Sequence, residues 1–277
     1  MGKFSRSWEM MKESWQVLQV DKKILVFPLM SSLCCLIVFA SFAYPIFGSV
    51  NWQSNQNWET VFQQDWTYYL VLLLFYIITY FVIVFFNSAL IACAAIRLGG
   101  GEPTVSDGFK TAFSRIGAIL EWAIICAIVG TILQAIEDRS KWVGRLVAGF
   151  LGMAWTLVSF LVVPMLVIEG ESPFSALKKS TILLKKTWGE QLIGNFGFGM
   201  VFLVLFIPFG VILAFSFVFK SVLLIYVGSI YLIILFLVQS TLTSIYQTAI
   251  YLYARDGQAP RGFDEELLSS AITRKGE

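Results

Sequence analysis

Six apolar runs, over residues 24–47, 68–96, 117–136, 146–168, 194–219 and 222–252, take up most of the chain, and no other feature limits its fold so strongly. Each reaches or exceeds the ~20 residues that an α-helix needs to cross the hydrocarbon of a bilayer. In lipid every backbone N–H and C=O must be satisfied internally, which leaves helical bundles and closed barrels. Barrel strands alternate apolar and polar residues, whereas these runs are continuous. Composition agrees: 57% of residues are hydrophobic and 14% charged, where soluble domains carry about a quarter charged. The expectation is an all-α, polytopic membrane bundle of six transmembrane helices, forming a single transmembrane domain over 1–277.

Orientation follows from the cations. In a six-span arrangement sixteen Lys and Arg fall on the side of the termini, and only Arg139, Lys141, Arg145 and Lys220 fall on the other. The positive-inside bias then puts both termini in the cytoplasm. The first run starts only at Ile24, is long enough to span and lacks a small-residue cleavage site, so it reads as a retained signal anchor. The short charged turn Glu137, Asp138, Arg139, Lys141 and Arg145 is assigned to the outside, as is the amide- and Trp-rich loop 51–58. Cys34, Cys35, Cys93 and Cys126 all lie inside spans, where they act as small apolar fillers.

An amphipathic segment precedes every odd-numbered span. Phe4, Trp8, Met11, Trp15 and Leu18 recur at helical spacing, with Arg6, Glu9 and Glu13 opposite. Val105, Phe109, Ala112 and Ile116 repeat the design behind Thr104 and Asp107, which have capping-box spacing. The third segment opens with Ser172-Pro173, an N-cap followed by Pro at the first helical position, and stacks Phe174, Leu177, Leu184 and Trp188. Lys179 and Lys186 oppose that stripe, and Lys178 and Lys185 flank it, where long stems lie along apolar surface while the ammonium groups reach water or phosphate.

Fixed offsets tie these segments together. An offset of 69 pairs Gly101-Glu102 with Gly170-Glu171 and Lys110 with Lys179; an offset of 173 pairs Lys12 with Lys185 and Trp15 with Trp188. The implied architecture is three amphipathic-helix-plus-hairpin repeats, over 1–97, 98–168 and 169–254, followed by a cytoplasmic tail over 255–277 with a short helix near 263–272. The three segments either lie in the headgroup plane against anionic lipid or pack on the bundle as structural elbows. Cytoplasmic charge is close to balanced, which speaks against a strong polybasic lipid patch.

Chemistry is sparse. The chain has no His, the usual general base and commonest metal ligand. No zinc-spaced Cys pair, nucleophile elbow, phosphate loop or dinucleotide fingerprint occurs. Neither a cofactor nor nucleic acid is expected, and the chain reads as no enzyme. Glu121 is the only acidic residue well inside a run, close enough to the interface for a solvated position or a partner such as Arg97 or Arg115. On the sixth span Gln239, Thr243 and Gln247 share a face, flanked by Ser240 and Ser244; Asn87, Ser88, Gln134 and Asn195 on other spans are within reach of it. Such a stripe either glues helices, at ~0.6 kcal/mol per bond on average, or lines a polar cavity. Pro208-Gly210 is expected to interrupt the fifth span.

Ser172-Pro173-Phe174-Ser175-Ala176-Leu177-Lys178-Lys179-Ser180, running on to Leu184 and Trp188, resembles the cytoplasmic elbow of uncharacterised prokaryotic six-helix membrane families. Among them is the membrane domain fused to some glycerophosphodiester phosphodiesterases. The start Lys3-Phe4-Ser5-Arg6-Ser7-Trp8 is similar to a bacterial membrane-protein family of unassigned function. The resemblance implies a multi-pass location in the prokaryotic cytoplasmic membrane and a scaffold or accessory role, and brings no catalytic residues. The expected partners are membrane lipids and a membrane or cytoplasmic protein, met through Phe4, Trp8, Trp15, Phe109, Phe174, Lys178, Lys185 and Trp188. The competing function is a transporter or lipid-translocating permease using Asn87, Gln239, Thr243 and Gln247 between the second and sixth spans.

Overall fold

A computed structural model describes residues 3–48, 66–139, 143–187 and 197–271. Loop 51–58, Asn195 and Trp188 lie outside the described residues, as do the side chains of Phe4 and Lys185. Among the described residues there are helices and no strands. The helices are α1 (Lys3–Val20), α2 (Val26–Gly48), α3 (Trp66–Leu98), α4 (Val105–Ser114), α5 (Ile116–Arg139), α6 (Val143–Ser159), α7 (Pro173–Thr187), α8 (Gly197–Val218), α9 (Val222–Asp256) and α10 (Glu265–Ala271). After a turn at Phe160 and Leu161, α6 resumes over Val162–Pro164 and ends in a π-turn, Met165–Glu169.

Six segments are long and apolar enough to cross a membrane: Lys22–Ala43, Leu70–Leu98, Ile116–Glu137, Gly144–Glu169, Val201–Val218 and Val222–Asp256. They pack as neighbours in sequence, α2 on α3, α3 on α5, α5 on α6 and α8 on α9. Aromatic pairs mark these seams: Phe42 meets Phe75 edge-on at 5.4 Å, Trp122 stacks on Trp155 at 5.6 Å and Phe206 meets Phe236 edge-on at 5.5 Å. In lipid such contacts stabilise through close packing and not through removal of water.

The core lies toward the end of the bundle that carries the termini. There Phe27, Ala89, Leu90, Ile91, Cys93 and Ala94 are buried against Leu161, Val162 and Leu166 and against Ile245, Ala249, Ile250 and Tyr251. Toward the other end the helices separate from the bundle, and α9 exposes Leu223, Tyr226, Ile230 and Ile233. α1 closes the packed end by lying across α8 and α9, and α4 fills the space beside α3.

Two departures from the sequence reading have physical causes, and the alternatives left open for Glu121 are narrowed. The fifth span is continuous, with Pro208 inside helix α8, where Tyr231 Oη donates to the Leu205 carbonyl at 2.7 Å. The span that breaks is the fourth. Pro164 has no N–H to give the carbonyl of Phe160, four residues earlier, and the helix turns out of register there. Arg97 does not partner Glu121, which is exposed; its Nε donates to Asp21, a side chain only 4% exposed. Glu121 and Arg97 therefore belong to separate surfaces.

Candidate functional site

Two sets of residues need placing, the aromatic helices at the packed end and the polar stripe of the sixth span. Three helices do form over the amphipathic segments, yet they present their aromatics differently. On α1 the bundle-facing residues are Met10, Ser14, Val17 and Leu18, while Trp8 is 39% and Trp15 42% exposed. The expected stripe is thus divided, with Leu18 inside and both tryptophans outward. Small Ser14, whose hydroxyl donates to the Met10 carbonyl at 2.9 Å, lets the helix approach closely.

α4 starts at the expected capping box. Asp107 N–H donates to Thr104 Oγ1 at 3.2 Å, and Thr104 N–H donates to Asp107 Oδ2 at 2.9 Å. The Thr104 hydroxyl, which donates to Asp107 Oδ2 at 2.6 Å, and then the Thr104 N–H hold the Asp107 carboxyl below its ordinary range. Phe109 turns inward, meeting Phe27 at 5.4 Å, Phe86 at 6.0 Å and Phe85 at 6.3 Å. Gly108 makes this possible, since a Cβ there would sit 2.5 Å from Phe27 Cζ and 2.7 Å from the Ala89 carbonyl oxygen. Sequence reasoning passed over Gly108. The available signal was the cost of a helix-interior Gly, about 1 kcal/mol against Ala, which calls for a close approach to explain it.

α7 does the reverse. Ala176 and Ser180 are fully buried, while Phe174 is 72% exposed and Lys178 is exposed beside it. Ser180 Oγ donates to the Val158 carbonyl at 2.6 Å, so α7 is bonded to the end of α6 just before its break. Glu171 accepts from Lys179 Nζ at 2.5 Å, which lowers the carboxyl and raises the ammonium from their ordinary values. Each even-numbered span also ends in a left-handed Gly, at Gly100, Gly170 and Gly257. The Arg261 guanidinium lies over Gly100 and that of Arg115 over Gly170, at positions a Cβ would contest.

The polar stripe converges on one place. Asn87, Gln239, Thr243 and Gln247 all line a single cavity of about 540 Å³ between α2, α3 and α9. Pro28, Ser31, Ser32 and Cys35 supply its α2 wall. Ser244 Oγ donates to Asn87 Oδ1 at 2.6 Å and to the Ser240 carbonyl at 2.9 Å. Gln247 Nε2 donates to the carbonyl of Phe160, the group that Pro164 leaves without an intrahelical donor. Gln239 Oε1 is buried without a partner. Gln134 stands apart, accepting from Tyr76 Oη at 3.0 Å, and Ser88 Oγ is buried without a partner outside the cavity lining.

Among the described residues no three His, Cys, Asp or Glu side chains gather as a metal site requires, and all four Cys are free. The cavity holds hydrogen-bonding amides and hydroxyls, with no nucleophile beside a base. It can orient a polar molecule.

An all-α chain with six membrane-crossing helices and its polar groups gathered between three of them is a multi-pass membrane protein. Residues 66–262, from the start of α3 to beyond the last span, match a family of unknown function (DUF6159), and the chain belongs to that family. No curated protein matches it.

Proposed function

We propose that this protein is a non-enzymatic component of the prokaryotic cytoplasmic membrane that engages lipid and a partner protein through helices at its cytoplasmic face. The observation that carries the reading is the outward presentation of Trp8, Trp15 and Phe174 on helices whose opposite faces are bonded to the bundle. Trp is favoured where an apolar ring meets a wet boundary, and interfacial helices bind through such residues. Exposed Lys178 beside Phe174 supplies a cation at headgroup level. The sixteen-to-four distribution of cations supports both termini being cytoplasmic. The three left-handed Gly ends and the recurring helix before each odd span support three repeats.

The test uses the full chain in vesicles, with its native Cys replaced and a fluorophore on a single Cys placed by Trp8→Cys, Phe174→Cys or Glu265→Cys. Lipids brominated near the headgroup should quench positions 8 and 174 at least three-fold more than position 265, which is exposed on the tail helix. Equal quenching at all three would remove the basis of the reading.

A second reading has its own observation, the cavity between the second and sixth spans. A permease would move an uncharged molecule through it, and flux into protein-loaded vesicles that Ser240→Trp abolishes is the result that reading requires.

A further inference from the structure

The cavity has a definite chemistry. None of its lining side chains carries a formal charge. Its inner wall is the buried set Phe86, Leu90, Ser244 and Gln247, and its mouth is the exposed set Ser32, Ile83, Phe236 and Ser240. The mouth therefore opens sideways, on the flank of the spans, where the surroundings are acyl chains. Asn87 lies ten residues before Arg97 and Gln239 sixteen before Arg255, which sets them about 15 Å and about 24 Å along their helices from the charged end. Against a hydrocarbon thickness of about 30 Å, that puts Asn87 near the middle of the bilayer and Gln239 in the half farther from the charged end, so the crevice lies within the hydrocarbon.

At this depth an ordinary acyl chain filling the space would leave the hydroxyls of Thr243 and Ser240 facing hydrocarbon, where a polar group with no hydrogen-bond partner is costly. A phosphate-bearing headgroup would fill it at a larger cost, because no cation lines the site. The occupant that meets both conditions carries a hydroxyl or amide donor, has no charge and arrives from the bilayer with its chains still in lipid.

We propose that this crevice is a lateral binding site for the head of an uncharged, hydroxyl-bearing lipid, such as a diacylglycerol, whose hydroxyl bonds with that of Thr243. Ser240, Gln239 and the Asn87–Ser244 pair supply further hydrogen-bonding groups, and Phe86, Leu90 and Phe236 flank the first carbons of the chains. The inference borrows the cavity of the second reading but needs no transport, and it is independent of the interfacial helices.

The experiment places the full chain in phosphatidylcholine nanodiscs containing a small fraction of diazirine-bearing diacylglycerol or, separately, diazirine-bearing phosphatidylglycerol. After irradiation, diacylglycerol should label peptides containing residues 28–35, 83–90 and 236–247 at least five-fold above other lipid-facing segments. Thr243→Val, which keeps volume and removes the hydroxyl, should lower that label at least five-fold with the unfolding temperature unchanged. Ser240→Trp, at the exposed mouth, should lower it at least ten-fold and decides the matter if Thr243→Val folds poorly. Label spread evenly over the spans, equal label from phosphatidylglycerol, or full label in Ser240→Trp would each overturn the assignment. So would a dimer, seen by native mass spectrometry, that Ser240→Trp abolishes, since the crevice would then hold a helix of a second copy. Fluorophore quenching at positions 8 and 174 is untouched by these variants, so failure here and failure of the interfacial reading are distinguishable.

Discussion

α4 and α7 arise from similar patterns, a capped start and an apolar stripe beside Lys, yet the first buries its leading aromatic and the second exposes it. Phe109 sits among Phe27, Phe85 and Phe86, whereas Phe174 is 72% exposed. The difference traces to what stands on the bundle side. On α4 it is Gly108 and Ala112, with Gly108 in contact with Phe27 and the backbone of α3, and the adjacent ring follows into the gap. On α7 it is Ala176 and Ser180, and Ser180 holds the helix by a hydrogen bond to α6. The aromatic stripe marks an amphipathic helix; the small residues decide which way it faces. α4 is held by packing and α7 by a bond to a broken helix end.

That contrast breaks most sharply at Gly108. Gly108→Ala should cost about 3 kcal/mol, because an overpacked Cβ meets backbone as well as a ring. Thermal unfolding in detergent should show it, with Gly117→Ala, whose Cβ meets nothing within 4 Å, as the neutral control. Next comes the pair of rings. Phe109→Ala should lose about 2 kcal/mol by the same measurement and Phe174→Ala no more than about 0.5, and equal losses would mean that the two helices dock alike. Ser180→Ala should cost about 1 kcal/mol by leaving the Val158 carbonyl without its donor. Limited proteolysis would then find α7 released while α4 stays protected.

The smallest effect belongs to α1, which docks in a third manner. Glu13 Oε1 accepts from the Asp264 N–H at 3.2 Å, tying the helix to the tail, while Oε2 is buried without a partner. Burial pushes the Glu13 carboxyl above its ordinary 4.5, and the charges of Asp264 and Glu9 push the same way. A carboxyl raised in the docked state binds a proton more readily there, so docking is strongest below about pH 4.5 and weakens as pH rises through the raised value. With the intrinsic pH dependence of amide exchange divided out, protection over residues 263–271 should rise on acidification, and Glu13→Gln should flatten that dependence.

Much of this architecture is legible in the sequence because bilayers impose a coarse rule. Apolar length alone marks the six spans, Thr104 and Asp107 announce the start of α4, and four-residue spacing brings Gln239, Thr243 and Gln247 to one face. Hydropathy does not register the break in the fourth span. Pro164 and Pro208 look equivalent in isolation, yet the helix breaks only at Pro164, where Gln247 of the sixth span meets the carbonyl of Phe160, four residues before the proline. Asp21 was likewise hidden: nothing local indicates that a carboxylate at a helix junction pairs with Arg97, seventy-six residues away.

The bond from Gln247 to the carbonyl of Phe160 also bears on how the chain is made. The donor follows its acceptor by 87 residues, with one whole span, Val201–Val218, in between. When the ribosome has delivered the fourth span, this bond still awaits the last one. The break in the fourth helix therefore gains its tie to the bundle only when the chain has synthesised its own final span.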